Sequence, residues 1–237
     1  MTISVAGLCP RTGEIGLALT TSSMAAGARA MFLAPGRGAV FAQARSDPAL
    51  GALGRARLEA GRSAEETLAD MIAATPHAAW RQLGVLDAQG RAAHHTGERC
   101  VAAKGAVTGP GALAIGNGLA NDAVVPAILR GFQAEPDRPL VERLIAALDA
   151  GLEAGGEPYP LRSAALQVSR PGIPFAVIDL RADLAEHPLA DLRRYWRNYE
   201  PLLESYLARA IDPANAPLAA AFESHLRQPV NGALQCA

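Results

Sequence analysis

A threonine stands second in the chain, behind Met1 and at the head of the β-branched run Thr2-Ile3-Ser4-Val5. If Met1 is removed, Thr2 carries a hydroxyl and a free α-amine on one residue. An α-amine has a pKa near 7.7–8.0 and accepts protons at neutral pH, where a lysine near 10.4 does not. Nucleophile and base are then assembled on a single residue, the threonine/N-terminal-amine variant of activated nucleophiles. Many chains begin Met-Thr, so this position needs support from elsewhere in the sequence.

Other chemistry-bearing residues form weaker patterns. His94 and His95 are adjacent, and consecutive strand residues point to opposite faces, so the pair cannot easily share one metal. A strand-end histidine bonded to backbone is the simpler reading. Gly109-Pro110-Gly111 and Gly116-Asn117-Gly118 read as tight turns, because no Gly-Lys-Ser/Thr follows either. Ser22 and Ser23 close a Thr-Thr-Ser-Ser run, which is a polar strand end or a pocket wall. The Gly-x-Ser-x-Gly nucleophile pattern is absent. Cys9, Cys100 and Cys236 are too far apart for a zinc site and odd in number, so they are expected to be small buried or incidental side chains.

Composition narrows the classes further. The 237 residues are 50% hydrophobic but only 5% aromatic, and the difference is alanine, of which there are 51. The 22 basic residues include one lysine, Lys104, and the formal net charge is −1. That balance lacks the basic footprint of a nucleic-acid binder. Apolar stretches are broken by Gly, Pro, Arg or Asp well short of the roughly 20 residues a spanning helix needs. The first residues lack the basic n-region and apolar core of a signal peptide, so a cytoplasmic protein is expected. No motif asks for a cofactor or a metal.

The elements that must position these residues follow from periodicity. Residues 3–7 and 14–22, joined by the Cys9-Pro10-Arg11-Thr12-Gly13 turn, read as a hairpin, with a third strand at 38–43. Asp47-Pro48 starts a helix running to Gly61, and Ser63-Ala64-Glu65-Glu66 is a capping box for the next. Strands return at 82–86 and 91–95, around Val101, and at 112–115. A second helix pair covers 123–133 and 140–153, with Pro126 obscuring where its first helix starts. A last hairpin follows at 163–168 and 175–180, and from Pro188 onward the chain is helical. Strand and helix do not alternate singly, which argues against a Rossmann sheet. The expected architecture is α+β, antiparallel sheets with helix pairs outside. It comprises a domain at 1–187 and a helical C-terminal extension at 188–237 packed on it.

Several segments resemble one family in order and spacing. They include Thr2-Ile3-Ser4-Val5-Ala6, Thr12-Gly13-Glu14-Ile15-Gly16-Leu17-Ala18, Gly36-Arg37-Gly38-Ala39-Val40 with Gln43, and Asp47-Pro48 with Leu50-Gly51. Further matches are Gln82-Leu83-Gly84-Val85, His95-Thr96-Gly97 with Cys100, Gly116-Asn117, and Asp179-Leu180-Arg181 with His187-Pro188. Together they resemble the DUF1028 family, grouped with the N-terminal nucleophile (Ntn) hydrolases, over roughly residues 2–195. The resemblance implies a four-layer αββα sandwich in which the first mature residue attacks an amide carbonyl. Thr2 would be nucleophile and base, and Asn117 would donate to the developing oxyanion. Ser22, Gln43 and His95 would line the substrate pocket. Threonine-nucleophile relatives tune the amine with a lysine, where this chain offers Lys104, or Arg29 and Arg45 as other positive charges. The implied activity is hydrolysis of a small amide or peptide-like metabolite without a cofactor. The alternative is a non-catalytic Ntn-fold ligand-binding or structural protein that keeps Met1. The tail aromatics Tyr195, Trp196, Tyr199 and Tyr206 suggest a homodimer.

Overall fold

The computed structural model describes residues 1–223. In chain order these form β1 (Thr2–Leu8), β2 (Ile15–Thr21), a one-turn helix α1 (Gly27–Ala30), β3 (Met31–Ala34) and β4 (Gly38–Ala44). Then come α2 (Pro48–Glu59), α3 (Ala64–Ala73), β5 (Arg81–Asp87), β6 (Ala92–Thr96), β7 (Lys104–Gly109) and β8 (Ala112–Asn117). The remainder is α4 (Val124–Gln133), α5 (Leu140–Glu153), β9 (Ser163–Ser169), β10 (Ile178–Ala182), α6 (Pro188–Tyr199), α7 (Leu203–Ile211) and α8 (Ala219–Phe222).

Strand alternation explains the layering. Among the described residues, one sheet has the order β10-β9-β2-β1-β8-β7 and the other β3-β4-β5-β6, every pairing antiparallel. On the six-stranded sheet Ala6, Leu17, Leu19, Leu113 and Ile115 face inward and share one core with Phe41 and Leu86 of the smaller sheet. The intervening residues face outward, where Ile3 touches α5 at Gly151, and α4 and α5 cover that face. On the far side Val40, Ala42, Leu83 and Val85 pack against Leu50, Leu58, Leu68 and Met71 of α2 and α3. Each fully buried Leu, Ile or Met contributes about 1.5–3 kcal/mol relative to exposure. Burying both faces of both sheets therefore requires two outer helical layers. The result is the four-layer αββα sandwich.

Local chemistry fixes the helix ends. The Asp47 carboxylate accepts from the backbone N–H groups of Ala49 at 3.1 Å and Leu50 at 3.4 Å. Ser63 Oγ accepts from Glu66 N–H at 3.2 Å while Glu66 accepts from Ser63 N–H at 2.9 Å, completing the capping box. Pro126 is the third residue of α4, where its missing N–H has no acceptor within the helix, so it costs little. Gly51 lets α2 approach β3 closely: a Cβ there would lie 1.9 Å from the Phe32 ring.

Three elements differ from expectation. No strand forms around Val101; the strand there begins at Lys104. The last strand starts at Ile178 rather than near residue 175, since Pro171 and Pro174 just before it have no N–H for a ladder. β3 is an extra strand, too short to stand out in the sequence. The chain divides into two compact units, Met1–Arg194 and Tyr195–Ala237, with the boundary inside α6. Within the second unit Tyr199 and Tyr206 stack at 5.5 Å between ring centroids, and the Tyr206 hydroxyl donates to Glu223 at 2.8 Å. Among the described residues no helix is long and apolar enough to cross a membrane.

Candidate active site

Thr2 opens β1, a strand flanked on both sides in the larger sheet. It lies opposite Asn117, the last residue of β8. Its side chain is on the same face as Ser4 and Ala6, the face turned toward the second sheet. Toward Leu8 that inter-sheet space is apolar; toward Thr2 it is polar. Thr2 is only 7% exposed, with Met1 standing before it. The Thr2 hydroxyl donates to the Met1 carbonyl, and the Thr21 hydroxyl donates to the same oxygen at 2.6 Å. The Met1 side chain lies on Gly118, whose φ is +63° and where a Cβ would sit 2.1 Å from Met1 Cγ. Glycine is therefore required there on two counts, conformation and space. Among the described residues, surface cavities of about 260–540 Å³ lie elsewhere, and none of these is lined by Thr2.

A buried amide network spans the two sheets at this polar end. Ser4 Oγ donates to Gln43 Oε1 at 2.7 Å, and Gln43 Nε2 donates to Gln82 Oε1 at 2.8 Å. Asn117 Nδ2 donates to that same Gln82 oxygen at 3.0 Å. Gln82 Nε2 in turn faces the Gly116 and Gly105 carbonyls at 2.9 and 3.2 Å and the Thr96 hydroxyl at 3.0 Å. Gln43 and Gln82 are fully buried and Asn117 almost so. Such groups are tolerated only because they satisfy one another. Asn117 keeps one amide hydrogen beyond its bond to Gln82. Gln43 is thus a core residue of this network rather than an open pocket wall.

Glu157, in the loop after α5, is the titratable group at this site. Its Oε2 accepts the Ser22 backbone N–H at 3.0 Å, and its Oε1 is buried with no partner. Burial pushes the Glu157 carboxyl above its ordinary pKa, opposed chiefly by hydrogen bonding from Ser22 and by the positive N-terminus. Ser22 therefore meets Glu157 through its backbone, half-buried at the turn after β2. Sequence patterning gives no hint of Glu157, because only the folded chain brings its loop to Thr21 and Ser22.

The other sequence candidates lie elsewhere. His95 is paired with Leu83, which packs on the outer helices. His95 thus stands on the outer face of the smaller sheet, with Nε2 2.9 Å from the Ala78 carbonyl. It is not brought to Thr2. Its neighbour His94 faces the other way, and burial, then the charge of His95, lowers its pKa. The Lys104 ammonium donates to the carbonyls of Gly97, Glu98 and Cys100 at 2.9, 2.5 and 2.9 Å. All three of its protons are engaged in holding that loop. Arg29 donates to the Met24 carbonyl at 2.6 Å, and Arg45 stacks over Trp80 at 4.7 Å. Cys9 and Cys100 are buried free thiols; Cys236 lies outside the described residues. Among the described residues no group of three or more His, Cys, Asp or Glu is arranged for a metal.

Comparison with other proteins places the chain. No functionally curated protein shows significant similarity to it. A crystal structure of a DUF1028 protein from Silicibacter pomeroyi is 30% identical with a TM-score of 0.77, covering 84% of this chain and 88% of that one. An Anbu (ancestral beta-subunit) from Yersinia bercovieri aligns at 14% identity and a TM-score of 0.40, covering 92% of this chain and 100% of that one. An Anbu mutant from Hyphomicrobium sp. strain MC1 aligns at 13% identity and a TM-score of 0.36, over 84% and 95% of the two chains. The sequence matches DUF1028, a family of unknown function, over residues 2–192. The chain belongs to the DUF1028 family.

Proposed function

We propose that the protein is an N-terminal-threonine amidohydrolase of the Ntn type, acting on a small amide or peptide-like metabolite once Met1 is removed. The observation that carries this is the placement of Thr2: first residue of a central strand, opposite Asn117 and near Thr21, whose hydroxyl shares the Met1 carbonyl with it. In this reading the Thr2 amine takes the proton of its own hydroxyl as the oxygen attacks the substrate carbonyl carbon. The tetrahedral oxyanion collects the free amide hydrogen of Asn117, a donor of the kind whose loss costs about 3–4 kcal/mol in a transition state. Collapse breaks the C–N bond, the ammonium returns its proton to the leaving amine, and water then cleaves the Thr2 ester. Gln82 fixes the Asn117 amide, and Glu157 is the carboxyl group beside the N-terminus.

A second reading rests on Met1 itself. While Met1 stays, the Thr2 nitrogen is an amide without basicity, and the Met1 carbonyl already holds the Thr2 and Thr21 hydroxyls. The chain would then bind a ligand without turning it over. Intact-mass measurement of the purified protein decides the first step: loss of Met1 supports hydrolysis, and a retained Met1 refutes it. A screen of small amides follows, in which Thr2→Ala should abolish turnover and Thr2→Ser retain part of it. Equal turnover in Thr2→Ala would refute Thr2 as the nucleophile.

A further inference from the structure

At the opposite end of β1, about 20 Å from Thr2 by the rise of the strand, a different kind of site is built. A cavity of about 420 Å³ there is lined by Arg11, Arg143, Gln133 and Asp137 together with Leu8 and three prolines. Arg143 projects from α5 and is only 6% exposed. Its guanidinium lies over the Phe132 ring at 4.2 Å and its Nε donates to the Phe132 carbonyl at 3.2 Å. One terminal nitrogen of that guanidinium is buried with no partner. No carboxylate among the described residues pairs with Arg143. The acidic group beside it is the Cys9 thiol, itself 1% exposed.

A buried guanidinium without a carboxylate is expensive, and native proteins rarely keep one unless a partner arrives. A second guanidinium, that of Arg11, reaches the same cavity, positioned by donating to the Asp137 carbonyl at 2.7 Å. Two like charges near one low-dielectric pocket oppose each other, and burial with the nearby Arg11 charge holds the Arg143 pKa below its ordinary value. An anion between them offsets both penalties. Guanidinium forks match the oxygens of a carboxylate or phosphate group.

We propose that this cavity is a binding site for a small oxyanion, a carboxylate or phosphate group, held by Arg143 from within and Arg11 from the rim. The site is separate from Thr2, and the proposal stands whether or not Thr2 is a nucleophile. The test is calorimetric titration of the full chain with inorganic phosphate and, separately, with acetate, each against chloride at matched ionic strength. Saturable one-site binding of either anion is expected, with the two arms distinguishing phosphate from carboxylate. Arg11→Ala changes an exposed side chain, so the fold should persist, and it should weaken binding about tenfold or more. Arg143→Gln should abolish it. In Thr2→Ala protein the binding should be unchanged, which separates this site from the proposed hydrolase. Absence of saturable binding by both anions, or equal affinity in wild type and Arg11→Ala, would overturn the proposal.

Discussion

Replacing Gln82 with leucine tests the amide network at its hub. The substitution removes one acceptor and one donating amide, leaving Gln43 Nε2 and Asn117 Nδ2 aimed at a methyl group. Both are buried, so water cannot replace the lost partner. Each orphaned donor costs about 1–3 kcal/mol, together about 2–6 kcal/mol, and the Gly105 and Gly116 carbonyls each lose a bond as well. The new apolar side chain returns about 1–2 kcal/mol by burial. Taken at the middle of these ranges, the net loss should be about 2–4 kcal/mol, a fall in Tm of roughly 4–16 °C for a chain of this size. Urea unfolding followed by circular dichroism measures it directly. A double-mutant cycle with Asn117→Leu sharpens the result, because either single variant breaks the one Asn117–Gln82 bond; the pair should be non-additive by about 1–2 kcal/mol. A loss below about 1 kcal/mol, or strict additivity, would refute the network as the structure describes it.

Three other outcomes follow from the geometry. Burial raises the folded-state pKa of Glu157 above its ordinary 4.5, so its protonated form stabilises the fold at low pH and that contribution fades as pH rises through the folded value. Glu157→Gln should therefore match wild type in Tm near pH 4 and exceed it increasingly toward pH 8; a difference that does not change with pH would refute the burial argument. Ser63→Ala removes one half of the capping box and should cost about 1 kcal/mol in urea unfolding, a value near zero counting against the cap. Lys104→Met frees three loop carbonyls, and hydrogen exchange across residues 97–103 should quicken; unchanged exchange would show that the ammonium does not hold the loop.

Much of the sandwich is legible in the sequence because its signals are local. Asp47, Ser63 with Glu66, and the Asp87–Gly90 turn each act within four residues, and the structure keeps all three where the pattern puts them. The span of α5, Leu140–Glu153, follows from its apolar face and the Gly155-Gly156 stop. What escapes is cooperative. β3 is four residues of apolar chain whose identity as a strand comes from pairing with β4. The Gln82–Asn117 bond joins residues 35 apart in the chain and on different sheets, so no spacing foretells it. Glu157 is an unremarkable acid between Gly156 and Pro158 until the fold buries it beside Thr21. The adjacent histidines show the converse: alternation alone separates their faces, and only the sheet register assigns His95 to the outer one.

The amide hub has a mechanical consequence. Attraction between two apolar sheets depends on area and has no preferred direction, so one slab can glide over the other with little loss. Gln82 belongs to the smaller sheet, yet its amide holds the Gly105 and Gly116 carbonyls and the Asn117 side chain of the larger one. Those bonds are directional, and displacement by a single residue pair would break them together. The hub is therefore a dowel: it pins the two slabs at the Thr2 end, and any breathing of the sandwich must pivot there and open at the oily end.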